Sequence, residues 1–196
     1  INVGTENYQR IVDDQRFRGP LSTVAKWTFQ FAFFSVVLAF IVGLLLAITL
    51  NNEKVRFQKL YRSIYISPYA IPAFISILVF RGLLNPDIGL VNDWLDPLYQ
   101  LFNIEPIRWF RTEESSKAAV LLVNTWLGFP YMFLIVTGAL QSIPNELIEA
   151  SKVDGATPRQ SFFKITFPLL LVSISPLLIG AFAFNFNNFT LIYVSY

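Results

Sequence analysis

The chain has 196 residues, 54% of them hydrophobic and 14% charged, with a mean hydropathy of +0.51 and a formal net charge of +2. That composition marks a membrane protein and leaves too little positive charge for nucleic-acid binding. With no Cys and no His, disulfides, thiol catalysis, Cys-ligated metals and imidazole chemistry are excluded, and no metal or cofactor is expected.

The sequence opens at Ile1 without a Met or a basic leading region, so a piece of a longer protein is expected rather than a cleaved signal peptide. Four apolar stretches follow, near residues 24–50, 63–84, 118–140 and 168–194. Each is long enough to cross a hydrocarbon core of roughly 30 Å, which takes about 20 helical residues. Helices are the economical choice, because lipid offers no partner to an unpaired backbone N–H or C=O. The last stretch is longer than a crossing needs, which places its first turns at the interface. The reading is an all-α membrane protein, a single incomplete transmembrane domain over residues 1–196 with four spans present.

Between the first two spans, residues 51–62 hold Lys54, Arg56, Lys59 and Arg62 against one acid, Glu53. Residues 85–117, between the second and third, carry six acids and only Arg108, Arg111 and Lys117 as bases. Positive charge collects on the cytoplasmic side, so 51–62 is expected inside. Alternation then puts 1–23 and 85–117 outside and 141–167 inside. Arg81 near the outer end of the second span is expected to snorkel to the headgroups, and Trp94 and Trp109 suit the outer interface.

In the third span, Asn124, Leu127, Gly128 and Tyr131 fall at i, i+3, i+4 and i+7, on one helical face. Pro130 has no N–H to give the Trp126 carbonyl, which predicts a kink.

The segment 141–167 reads as a structured bracket. Pro144 suits the first turn of a helix, with Glu146 and Glu149 near its positive end. Gly155 supplies the left-handed residue that stops it. Thr157-Pro158-Arg159-Gln160 then reads as a fresh start, with Thr as cap and Gln three residues on. A short helix of about ten residues, a tight Gly turn and a second helix are predicted. The second helix carries Phe162, Phe163, Ile165 and Phe167 into the membrane surface. A rigid bracket transmits force where a floppy loop does not, although an ordinary interhelical loop with good caps has the same pattern.

In the fourth span, Ala181, Phe184, Asn185 and Asn188 repeat the third span's spacing. Asn187 points about 100° away from Asn188 and suits interhelical glue, while Phe182, Phe186 and Phe189 suit lipid or bundle contact. Two faces with Asn, an aromatic and a small residue fit a sugar. The amides donate to and accept from hydroxyls, Tyr131 and Phe184 lie against C–H faces, and Gly128 and Ala181 leave room. The same pattern fits helix packing, where intramembrane polar contacts are worth around 0.6 kcal/mol on average.

Glu149-Ala150, with Asp154-Gly155-Ala156 and Ile165-x-x-Pro168, resembles the EAA motif of bacterial ABC importer permeases, the MetI-like membrane subunits of binding-protein-dependent transport systems. Asn124-Thr125-Trp126-Leu127-Gly128-Phe129-Pro130-Tyr131, Phe182-Ala183-Phe184-Asn185-Phe186-Asn187-Asn188-Phe189 and Ser67-Pro68-Tyr69-Ala70-Ile71-Pro72-Ala73-Phe74-Ile75-Ser76-Ile77-Leu78 are similar to the maltose/maltodextrin branch, over almost the whole chain. Ser151 stands where many members have a second Ala, and Phe167 where Leu is common; both keep small or apolar character. The resemblance implies a MetI-like helical bundle. It implies sugar-binding roles for Asn124, Leu127, Gly128, Tyr131, Phe184, Asn185 and Asn188, with Ala181 replacing a family Ser. It implies contact with a cleft of the ATPase through Glu149, Ala150, Ser151, Asp154, Gly155 and Ala156. The partners it implies are ATP-binding cassette ATPase subunits, a second permease subunit, an extracytoplasmic sugar-binding protein, a maltose/maltodextrin-like sugar and membrane lipid, in a bacterial inner membrane. The family's additional N-terminal spans, any inserted external domain and its final span are absent from these residues.

The energy source follows from what the spans lack. No acidic residue lies within the four apolar stretches, where proton-driven carriers keep their relays. There is no G-x-x-x-x-G-K-[ST] phosphate loop, so the chain is not itself the ATPase. An external motor acting on residues 141–167 fits both observations. The alternative is a channel or secondary carrier not coupled to ATP. A membrane enzyme would need a catalytic pair that the spans do not contain.

Overall fold

The computed structural model describes residues 4–51 and 55–188. The described residues form helices and turns: α1 (Glu6–Asp13), α2 (Gln15–Leu50), α3 (Gln58–Ile66), α4 (Ala73–Leu83), α5 (Leu90–Phe102), α6 (Glu113–Ser142), α7 (Asn145–Val153), α8 (Pro158–Ser161) and α9 (Phe167–Phe186). A 3-10 turn, Ser67–Ala70, follows α3, and a π turn, Phe162–Thr166, joins α8 to α9.

The first span is longer than its apolar core. The side chain of Asp14 accepts from the Arg16 backbone N at 2.9 Å, and α2 starts there rather than at Val24. This capping bond satisfies one of the N–H groups that a helix start leaves without an intrahelical partner.

The span expected over 63–84 is built in two parts. The chain forms α3 and the 3-10 turn, then turns by 93° into α4. The break comes at Pro72. A residue before proline is pushed out of the helical region, and Ile71, before Pro72, is extended at φ −85° and ψ 127°. Three helices, 16–50, 113–142 and 158–186, are long and apolar enough to cross a membrane, and the bent pair makes a fourth if it is one span. Lys59 and Arg62, which the sequence puts in a loop, lie inside α3. Glu53 and Lys54 lie outside the described residues.

Residues 85–117 are more ordered than a loop. Asn85 Oδ1 accepts from the backbone N of Asp87 at 2.9 Å and of Ile88 at 3.2 Å, folding the chain back. A Cβ on Gly89 would stand 2.3 Å from the Leu83 carbonyl oxygen, so glycine alone fits this close approach. Asn92 then ties α5 down. Its Nδ2 donates to the Ile107 carbonyl at 3.0 Å, and its Oδ1 accepts from Trp109 Nε1 at 3.0 Å and the Tyr99 hydroxyl at 3.2 Å. Trp109 is buried at 7% exposure. An indole N–H needs a partner when buried, and Asn92 provides it. Trp94 is exposed, as an interface residue would be. Thr112 and Ser115 form a capping box that starts α6.

The seam of the bundle lies between α2 and α6, which run parallel. A Cβ on Gly43 would stand 2.7 Å from the Phe133 backbone N and 2.8 Å from the Met132 backbone C. One turn earlier, a Cβ on Gly128 would stand 3.2 Å from Ala39 Cβ. Small residues allow close backbone approach where lipid removes any hydrophobic drive between helices. Two apolar clusters flank the seam. One gathers Phe31, Ile77, Leu84, Trp109, Val120 and Val123; the other gathers Ala47, Leu50, Phe133, Val136, Leu140 and Leu170. Segments 85–117 and 141–167 therefore sit at opposite ends of the bundle. α6 passes through Pro130 as one continuous helix, so the kink expected there does not divide it.

Candidate functional site: a polar helix face and a two-helix bracket

The third- and fourth-span faces meet. Asn124 is buried at 7% exposure, and its Nδ2 donates to Asn185 Oδ1 at 2.6 Å, bridging α6 and α9. Asn185 Nδ2 in turn donates to the Ala181 carbonyl one turn back, at 2.8 Å. Each amide has two donors and a two-lone-pair acceptor, so these bonds use only part of the pair's capacity. A hydroxylated solute could share or displace the Asn124–Asn185 bond, because what it offers matches what the amides offer each other.

The other predicted residues surround this bond unevenly. Leu127, Tyr131 and Asn188 are half-buried. Leu127 also packs against the cluster that holds Phe31 and Trp109. Gly128 faces Ala39, so in this arrangement its missing Cβ serves the α2–α6 crossing. Phe184 is 74% exposed on α9. Asn187, expected as interhelical glue, donates instead to the Ala183 carbonyl of its own helix at 2.8 Å. Phe182 stacks edge-on against Phe29 of α2 at 5.5 Å, a bundle contact, and Phe186 is exposed. Phe189 lies outside the described residues. Sequence patterns missed the buried hydroxyls of Ser35 and Ser76, which have no hydrogen-bond partner among the described residues. The four-residue step that pairs Ala39 with Gly128 carries Ser35 to the level of Asn124. Serine in an apolar stretch gave no periodic signal.

The bracket forms as its capping residues predict. Pro144 sits just before α7 as its cap rather than in the first turn. Gly155 takes φ +80°, the left-handed conformation that glycine adopts without a Cβ penalty. The Ala156 backbone N donates to the Ser151 carbonyl at 2.9 Å and closes the turn. Thr157 Oγ1 accepts from the Gln160 backbone N at 3.3 Å, and Gln160 Oε1 accepts from the Thr157 backbone N at 2.8 Å, a complete capping box. The expected second helix is not separate from the last span. α8, the π turn and α9 form one stretch over 158–186, with Phe162, Phe163 and Phe167 in mutual ring contact.

Of the bracket residues singled out, Glu149, Ala150, Asp154 and Gly155 are exposed and Ala156 is half-buried, while Ser151 is buried at 6% exposure. Leu147 at 43% and Val153 at 88% exposure extend the open face of α7 through Ala150. Their i, i+3, i+6 spacing was present in the sequence, but three residues on a short helix make a weak periodic signal.

The comparisons agree with this architecture. Residues 24–195 match the family described as "Binding-protein-dependent transport system inner membrane component". The chain is similar to "Maltose/maltodextrin transport system permease protein MalF" of Salmonella typhimurium, 45% identical over 98% of this chain and 37% of that protein. The protein of the same name from Yersinia pestis is 44% identical over 98% of this chain and 36% of its own length. The chain thus spans little more than a third of these relatives. A crystal structure of a bacterial ABC transporter involved in import of the acidic polysaccharide alginate has the same fold, with a TM-score of 0.80 and 22% identity over 99% of this chain and 66% of that one. The chain belongs to the family of inner membrane components of binding-protein-dependent transport systems.

Proposed function

We propose that the chain is part of the permease subunit of an ATP-driven importer of maltose/maltodextrin-like oligosaccharides. The observation that carries this reading is the Asn124–Asn185 bond, which puts hydroxyl-matching amides between α6 and α9, the two helices joined by the bracket. Asn124, Leu127, Gly128, Tyr131, Phe184, Asn185 and Asn188 form this subunit's share of the sugar path. The exposure of Phe184 is explained by a second permease subunit (MalG-like) that closes the path from the other side. Residues 141–167 face the cytoplasm. There Glu149, Ala150, Asp154, Gly155 and Ala156, with Leu147 and Val153, dock the ATPase subunits (MalK-like), while Ser151 holds the bracket's shape from within. An extracytoplasmic sugar-binding protein (MalE-like) delivers the sugar to the opposite end, beside 85–117. The identity to proteins named as maltose/maltodextrin permeases over 98% of the chain supports the substrate class.

The test is uptake of a sugar panel by the full-length protein reconstituted with these partners. Maltose and longer maltodextrins are expected to enter and unrelated disaccharides to be refused. Equal uptake of unrelated disaccharides would overturn the substrate assignment.

A further inference from the structure

We infer that Ser151 and Ser161 are positioning residues that fix α7 against α8, so that a push on α7 reaches α9 through one rigid lever. The inference rests on the proposal that the bracket docks the ATPase. The two hydroxyl oxygens lie 2.9 Å apart, and both residues are only 6% exposed although their neighbours are open to solvent. Ser151 Oγ is also 2.8 Å from the Ile148 carbonyl. A hydroxyl has one proton, so the arrangement that satisfies every group runs from Ser161 to Ser151 to the carbonyl.

The need for a brace is visible in the turn. Glycine at 155 has open space where a Cβ would be, so no side chain props the corner. Exposed Val153 and Asp154 leave α7 free to swing on that glycine unless something holds it. α8 is continuous through the π turn with α9, and Asn185 lies on α9. The hydroxyl pair is thus the buried polar link between the ATPase-facing helix and the helix that carries the sugar-facing amide.

The experiment uses the full-length permease assembled with its partner subunits in proteoliposomes, and reads sugar moved per ATP hydrolysed. Ser151→Ala and Ser161→Ala are each expected to lower this ratio about threefold to fivefold, the size of one buried hydrogen bond. The double variant is expected to be no worse than either single one, because the two residues act as a unit. Ser151→Cys with Ser161→Cys introduces the only cysteines of these 196 residues. Oxidation of that pair is expected to raise the ratio at least about threefold over the reduced state, a rescue that a merely local packing role would not produce. Unchanged ratios in the alanine variants would overturn the inference. So would a cross-link that stops transport until it is reduced, since the two helices would then move against each other. A pair that cannot be cross-linked would overturn the juxtaposition itself. Co-purification of the ATPase separates the two levels. An ATPase that does not hold to the unsubstituted bracket defeats the docking proposal, whereas one that holds in every variant with unchanged ratios defeats the positioning role alone.

Discussion

Asn185 bonds to two partners at once, Asn124 on the neighbouring helix and Ala181 on its own. Replacing it with Ala removes both and strands the Asn124 amide, at a cost of about 1–3 kcal/mol if nothing else satisfies it. Asn185→Ala is expected to cut sugar uptake at least about tenfold while the subunit stays inserted and binding-protein-stimulated ATP hydrolysis persists. Uptake at the unsubstituted rate would leave Asn185 as packing glue. A different residue controls the scaffold. Gly43 meets backbone atoms of α6 that cannot move aside, so Gly43→Ala is expected to destabilise the bundle by about 1–3 kcal/mol. Gly138→Ala meets open space and is the control. Thermal unfolding in detergent checks both; equal midpoints would contradict the crossing as described. The two Asn were legible as a shared spacing, but spacing could not say whether they faced a solute or each other. Gly43 carried no pattern at all, because a close approach is a property of two helices and not of one sequence.

At the scale of elements, the capping residues were the most informative letters in the chain. Thr157 and Gln160 form the capping box their types predict, and Gly155 adopts the left-handed turn. Gly155→Pro forces φ to about −65°, which that turn does not allow. It is expected to uncouple ATP hydrolysis from transport while the spans stay inserted; normal uptake in this variant would sink the coupling proposal. The bend in the second span went unread because its apolar length dominated the pattern, although Ile71-Pro72 held the local reason for the break. α5 was read as loop because its role depends on Asn92 reaching Ile107, Tyr99 and Trp109 across the chain. Asn92→Ala strands an indole N–H, a hydroxyl and a carbonyl. It is expected to cost at least about 2 kcal/mol and to raise hydrogen exchange in 85–112 selectively. Unchanged exchange there would show that the outer segment does not depend on this side chain.

At the scale of the whole molecule, the parallel pair α2 and α6 forms a frame. α9 lies against both and leaves Val172, Ile179 and Phe184 open. The bracket joins α6 to α9 at the end opposite 85–117. This layout puts Asn185 and Ser161, whose hydroxyl meets Ser151 of α7, on one continuous helical stretch from Pro158 to Phe186. Under the proposed function, motion at the bracket drives solute past the amides. The most direct measurement is maltodextrin accumulation against its gradient in proteoliposomes of the full-length, fully assembled transporter, with and without ATP. Accumulation with ATP and none without it is expected. Equilibration of the sugar in the absence of ATP would contradict it and identify an uncoupled carrier or channel.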